Sequence, residues 1–418
     1  MEQQEDSFAN DIIQDAVPTH TEPPSNNFLP WHRVKKQYVR QFQWGFQTSK
    51  MLKDSLRRLQ NPNLVWTLDE TSNEEVQVPD NLLTLKCLVI PGQDLLDIRA
   101  LRNDVGDLKC YIRYLGFNES HGSDHRGTRI HVANNAVTSF SDVSRDSLVL
   151  HDKFESIAKK SSQAYRYLKE CGPYHLVNLD FCGSVFPNTV ASSQEYYKAL
   201  HQLLDYQFEN QTSEWLLFVT TRVETSVAND AELQNLCKPA RNNFDNHQEF
   251  ATSLEGLIPS EVFQTQESVV DITHLTQEQM VRMFGVAFSK WLLTLCQSAS
   301  PKWSIALRSF YRYSINEDAG SEMVSLAFEF TRNVIRPVDP TGMSQLQTTI
   351  QTFPTEKQCA ISIAQAISKI RDVDNELIAN PELKIKLRDA QADLLESAGY
   401  DRDAYIQWVN NGEIIADN

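Results

Sequence analysis

Four short stretches carry residue types that could do chemistry, and each follows an apolar run: Pro91-Gly92-Gln93-Asp94, Gly116-Phe117-Asn118-Glu119, His151-Asp152-Lys153-Phe154 and Asn178 to Ser184. A glycine after such a run lets the backbone approach a ligand, and a following helix start presents free N–H groups. The carboxylates of Asp94, Glu119, Asp152 and Asp180 accept hydrogen bonds from hydroxyls or amines, and Asn118 can both accept and donate. The same residues have plainer uses, since Gly92 suits a strand-to-helix turn and Asp152 suits a helix cap. Asp180, Phe181, Gly183 and Ser184 form the most informative group: an acid directly after an apolar strand, an aromatic able to stack on a base, then small polar residues. Cys182 could act as a covalent nucleophile or be a small, partly buried thiol. His121, Asp124, His125 and His131 are metal-ligand types without helix or turn spacing, so no metal site is expected. Thr220, Thr221 and Arg222 could reach a substrate or simply end a strand.

Charge polarity is the second signal. Residues 1–25 carry six acids and no Lys or Arg, whereas residues 31–60 carry eight Lys or Arg against one acid, Asp54. Arg33, Lys35, Lys36, Arg40, Lys50, Lys53, Arg57 and Arg58 interleave with Tyr38, Phe42 and Trp44, a mixture suited to phosphate contacts and base stacking. The alternatives are a solvated face of a helix that packs through its aromatics, or cations neutralised by the protein's own acids.

The elements that must position these residues follow from periodicity. Apolar runs at residues 85–90, 110–115, 147–151, 174–179 and 215–220 read as strands, separated by segments long enough for helices, and this alternation makes a doubly wound parallel sheet. Asp94 to Leu101 has helical spacing with acids in its first turn. Thr276 and Gln279 fit a capping box before a long apolar helix face, and residues 303–311 and 323–330 read as a β-hairpin. Residues 1–28 are expected to be a disordered acidic tail, residues 29–83 a basic helical arm and linker, and residues 84–335 the main domain. Residues 224–271, polar and without clear periodicity, are expected to be an insertion. Residues 336–418 are helical by pattern, with Thr355 and Gln358 capping one helix and Pro381 opening another.

Composition bounds the class. With 418 residues and 41% hydrophobic content the chain can bury a core. No stretch approaches the roughly 20 apolar residues of a membrane helix, and the N-terminus lacks a signal-peptide pattern, so a cytoplasmic protein is expected. Seven cysteines without paired CxxC spacing suit reduced thiols. A formal net charge of −16 excludes a surface that binds nucleic acid everywhere.

Five α/β units, a helix and a terminal hairpin resemble the class I S-adenosylmethionine-dependent methyltransferase fold, over about 250 residues. The resemblance implies an α/β fold with a doubly wound, seven-stranded, mostly parallel sheet ending in an antiparallel pair, here with the basic helical arm before it and C-terminal helices after it. It implies S-adenosyl-L-methionine bound by Pro91, Gly92, Asp94, Gly116, Asn118, Glu119 and Asp152. Asn118 stands where these enzymes usually place an acid for the ribose hydroxyls. Asp180, Gly183 and Ser184 are similar to the Asp-Pro-Phe-Gly-Ser segment of tRNA guanine N2-methyltransferases and to the related segment of three-Cys-motif partner proteins, with Phe181 for the Pro and Cys182 for the aromatic. On that likeness Asp180, Phe181 and Ser184 face the acceptor, nucleic acid is the expected substrate, and the arm is its expected contact. The competing expectation is a non-catalytic, methyltransferase-like adaptor in a bacterial modification or antiviral defence assembly, holding a protein partner through its terminal helices.

Overall fold

The computed structural model describes residues 25–60, 83–119, 125–181, 183–185, 190–223, 231–263, 274–314, 322–334, 343 and 352–414. The chain opens with α1 (Val34–Val39), a π-helical turn (Arg40–Gly45) and α2 (Phe46–Gln60). β1 (Leu83–Val89), α3 (Leu96–Val105), β2 (Cys110–Phe117), α4 (His125–Thr138), β3 (Leu148–Leu150), α5 (Gln163–Cys171), β4 (Leu176–Asp180), α6 (Val190–Asn210) and β5 (Trp215–Val223) then alternate. Helices α7 (Ala231–Asn246), α8 (Gln248–Leu254) and α9 (Gln277–Ser298) precede the hairpin strands β6 (Trp303–Ser314) and β7 (Glu322–Arg332). The chain continues through α10 (Glu356–Ile367), β8 (Arg371–Asp372), α11 (Val373–Ala379), α12 (Pro381–Glu396) and α13 (Arg402–Asn410).

The strands form one mixed, mostly parallel sheet in the order β3-β2-β1-β4-β5-β7-β6-β8. Strands β1 to β5 pair in parallel, and β7 runs antiparallel to both β5 and β6. The sheet has eight strands, not the expected seven. Arg371 and Asp372 add the last one, parallel to the end of β6. Two polar residues have no period-2 apolar pattern to announce a strand. Their place is set by tertiary contacts, among them the Arg312–Asp372 ion pair at 2.9 Å.

Side chains of successive strand residues point to opposite faces, so Val177 and Leu179 enter one core while Leu176 enters the other. Helices α5 to α10 cover the first face, an apolar layer that includes Trp215 stacked on Phe330 at 4.1 Å. The second face is covered by α1 to α4 and α11 to α13, so the first and last described segments of the chain meet there. The capping boxes at Thr276/Gln279 and Thr355/Gln358 form, and Pro381 occupies the first turn of α12.

One expectation is corrected. Residues 25–28 are not part of a disordered tail: Ser25 bridges to the backbone of Gly399 and Asp401, and Phe28 is buried among Tyr400, Tyr405 and Trp408. Residues 1–24 lie outside the described residues, as does the acidic linker over 61–82. The 224–271 segment is helical where described, and α7 and α8 contribute Leu236, Cys237, Ala240, Phe250 and Leu254 to the first core. Pro239 inside α7 interrupts the helical pattern that its apolar residues would otherwise present. No helix among the described residues is long and apolar enough to cross a membrane.

Candidate ligand crevice at the strand ends

Open α/β sheets bind ligands beyond the carboxyl ends of their strands, where the order reverses. Here β1 lies between β2 and β4, so the crevice belongs to the loops after β1, β2, β3 and β4. The loops place the expected residues there. The chain's own groups engage most of them.

After β1, the Pro91 ring packs so closely on Gly116 that a Cβ at Gly116 would lie 3.1 Å from Pro91 Cγ and 3.0 Å from Val149 Cγ2. The glycine serves a backbone-to-side-chain approach inside the fold. Asn118 donates from Nδ2 to the Pro91 carbonyl at 2.8 Å, and its backbone N–H donates to Leu150 O at 3.1 Å. The amide that stands at the ribose position thus holds the β1 and β2 loops together. Phe117 is buried in the first core, edge-on to Phe154. Glu119 pairs with Lys153 at 2.9 Å on the surface. Asp152 accepts from the Lys153 N–H at 2.8 Å and from Ser156 Oγ at 2.6 Å, as a turn cap does. Gly92 has open space where a Cβ would be, and so does Gly183.

Asp94 turns inward instead of toward a ligand. The next residue, Leu95, sits in the left-handed region at φ 49° and ψ 37°, uncommon for a branched apolar residue. Arg129 Nε donates to Asp94 Oδ1 at 2.7 Å, Tyr400 Oη donates to Oδ2 at 2.8 Å, and His32 Nε2 lies 3.7 Å from Oδ2. Leu29 N–H donates to His32 Nδ1, which leaves the ring proton on Nε2, facing Asp94. Burial holds the His32 pKa below its ordinary value, and so the ring is neutral. Burial pushes the Asp94 carboxyl up, but His32, Arg129 and Tyr400 outweigh it and leave the group below the usual carboxylate range.

The β4 loop is closed in the same way. Lys36 donates from Nζ to Asp180 Oδ1 at 2.5 Å and lies over the Trp44 ring at 4.7 Å. Burial lowers the Lys36 pKa and the Asp180 charge more than offsets it, so the ammonium is held above its ordinary value. Phe181 is buried edge-on to Phe154 and Tyr196. Gly183 O accepts from the Arg222 N–H and from Thr221 Oγ1, and Val185 N–H donates to Thr221 Oγ1, which ties the end of β5 to the β4 loop. Ser184 is half-buried nearby. Cys182 lies outside the described residues.

The basic arm is therefore part of the crevice. Arg40 donates from Nε to the buried Asp97 at 2.8 Å and also reaches Trp31 O and Gln391 Oε1. Lys35 pairs with Asp374, Arg33 with Glu413, Arg57 with Asp54 and Arg58 with Glu214. Lys50 is half-buried and Lys53 exposed on α2. Sequence reasoning missed His32, Arg129, Tyr400 and Gln391, whose partners are up to 351 positions distant. It also missed Gln43, which bonds to Ser325 and Ser309 of the hairpin. None has a local pattern that could have found it.

These residues do not fit S-adenosyl-L-methionine in the way the resemblance implies: Asp94, Asp152 and Asp180 accept from the chain's own donors, the Asn118 amide donates to the Pro91 carbonyl, and Gly116 is closed by Pro91. Among the described residues no group of three or more His, Cys, Asp or Glu side chains could hold a metal. The His131 and His151 rings lie 5.1 Å apart, tilted by 40°, while His121, Asp124 and the side chain of His125 lie outside the described residues.

A family model described as PP_RS20740-like matches residues 25–410, so the chain belongs to that family. No curated protein matches it.

Proposed function

We propose that this member of the PP_RS20740-like family is a non-catalytic, methyltransferase-like adaptor, whose sheet holds its terminal segments in place of a cofactor and whose surface binds a protein partner. One observation carries the reading: Asp94, Asp97 and Asp180, acids at or just beyond the strand ends, are engaged by Tyr400, Arg40 and Lys36 from the first and last described segments of the chain. The methyltransferase likeness rests on the parallel units followed by an antiparallel hairpin, and on the Asp180–Ser184 segment. Fold alone does not carry the activity. Methyl transfer needs a donor positioned in line and shielded from water, and a crevice occupied by lysine, arginine and tyrosine side chains leaves the donor's polar groups without their partners.

The inward-facing arm bears on the partner as well. Six of its eight cations pair with acids of the same chain, and a cation already paired releases few counterions from a phosphate backbone. A protein partner fits this surface better than nucleic acid.

Calorimetric titration with S-adenosylmethionine and S-adenosylhomocysteine tests the reading. Silence up to millimolar ligand is expected. Micromolar binding that is lost in Gly92→Trp would overturn it and restore the enzyme. Gly92 is the position to block because its side is open, whereas a large residue at Gly116 would collide with Pro91 and Val149.

A further inference from the structure

A second concave site lies on the helical layer over the first face, lined by none of the residues assigned to the crevice. Between α6, α7 and α9 a cavity of about 530 Å³ opens, within the range of roughly 300–1,000 Å³ common for ligand sites. Its walls are the rings of Tyr197 and Trp291, 5.5 Å apart and nearly perpendicular at 89°, so two ring surfaces meet in a corner. Leu236, almost fully buried, and Ala158 complete the apolar lining.

Two lysines stand at the rim. Lys198 and His201 line the cavity from α6. Lys238 donates to the lining residue Asn235 at 2.6 Å. The acid one turn beyond His201, Asp205, pairs with that imidazole at 3.0 Å. Lys198 and Lys238, on adjoining helices, thus face this cavity on a chain with 39 Lys and Arg against 55 Asp and Glu.

We propose that this cavity receives an aromatic or branched apolar side chain of a protein partner, anchored by acidic residues on either side of it. This rests on the adaptor reading and deepens it by naming the surface and the chemistry of the partner. An apolar anchor seated in a pocket and ringed by charge is the usual energetic centre of a protein interface, and opposite charge at the rim speeds and orients association. A short acidic segment ends where the lysines end. A nucleic-acid strand would continue past the rim onto a chain of net charge −16, so the peptide is favoured.

The experiment is fluorescence anisotropy on the full chain with three labelled probes: an acidic peptide with a central Phe-Leu pair, the same peptide with Ala-Ala, and single-stranded oligothymidine. The Phe-Leu peptide should bind, and both the Ala-Ala peptide and the filled-cavity variant Asn235→Trp should weaken binding about tenfold or more. Lys198→Glu with Lys238→Glu should do the same, with a steep salt dependence in the wild type. Asn235, Lys198 and Lys238 are exposed, and unchanged thermal unfolding of the variants would show that the fold is kept. The inference is overturned if no peptide binds, if Asn235→Trp or Ala-Ala leaves affinity unchanged, or if oligothymidine binds in preference at these lysines. Peptide binding together with micromolar S-adenosylmethionine binding would remove the non-catalytic reading alone and leave this site standing.

Discussion

The two faces of the sheet are held by different physics. On the first face, Trp215, Phe288, Trp303, Phe328 and Phe330 are fully buried among apolar side chains, and one ion pair, Lys290 of α9 with Glu356 of α10, joins neighbouring helices. On the second face the cover includes chain segments more than 300 positions apart, such as Tyr405 Oη donating to His32 O and Tyr400 to Asp94, and it contains ion pairs at its carboxyl edge. Gln37 Oε1, Trp44 Nε1, Asn178 Oδ1 and Gln391 Nε2 are buried near those pairs without a hydrogen-bond partner among the described residues. Apolar burial is non-directional and tolerates small shifts. Buried charge is directional and fixes one arrangement of the termini, at a desolvation cost. Apolar contact between neighbouring helices thus dominates the first face, and pairing of charges between distant segments sets the second apart.

Mutations can separate the two. Phe330→Ala should have the largest effect, about 3–5 kcal/mol in denaturant unfolding, because it removes a fully buried ring and its stack on Trp215. A loss below about 1 kcal/mol would contradict the role assigned to the first face. Lys36→Met should cost less, about 2–4 kcal/mol, since it leaves Asp180 without its cation at a site that keeps some contact with water. Adding Asp180→Leu to Lys36→Met should recover most of that loss, because both charges are then gone. If the two losses simply add, the pair is not coupled and the ionic account of this face fails.

The smallest effect concerns Asp104, whose carboxylate lies against the π-helical turn so tightly that a Cβ at Gly45 would overlap it. Burial raises its pKa from 3.8 to about 7. Between those values the folded chain binds a proton that the unfolded chain lacks, so this group's contribution to stability falls as pH rises from about 4 to about 7. Asp104→Asn should therefore be more stable than wild type by about 1–2 kcal/mol at pH 8, with the advantage vanishing near pH 4. Unfolding curves across that range check this, and a pH-independent difference would rule the linkage out.

Much of this was legible in the chain itself. The apolar runs ending at Ile90, Leu115, Leu179 and Thr220, the hairpin after residue 303 and the capping boxes at Thr276 and Thr355 are local patterns, since periodicity and capping act within a few residues. The sequence also located the polar residues at the strand ends. It left open what faces them. Whether Lys36 meets a phosphate or Asp180, and whether Asp94 meets a ligand or Tyr400, depends on contacts across 144 and 306 positions. The two-residue strand at Arg371 likewise exists only because β6 is already in place. Propensity and periodicity are short-range and were readable from the chain alone; pairing between distant charges is decided by which surfaces the packed sheet brings together, and only the tertiary structure determined it.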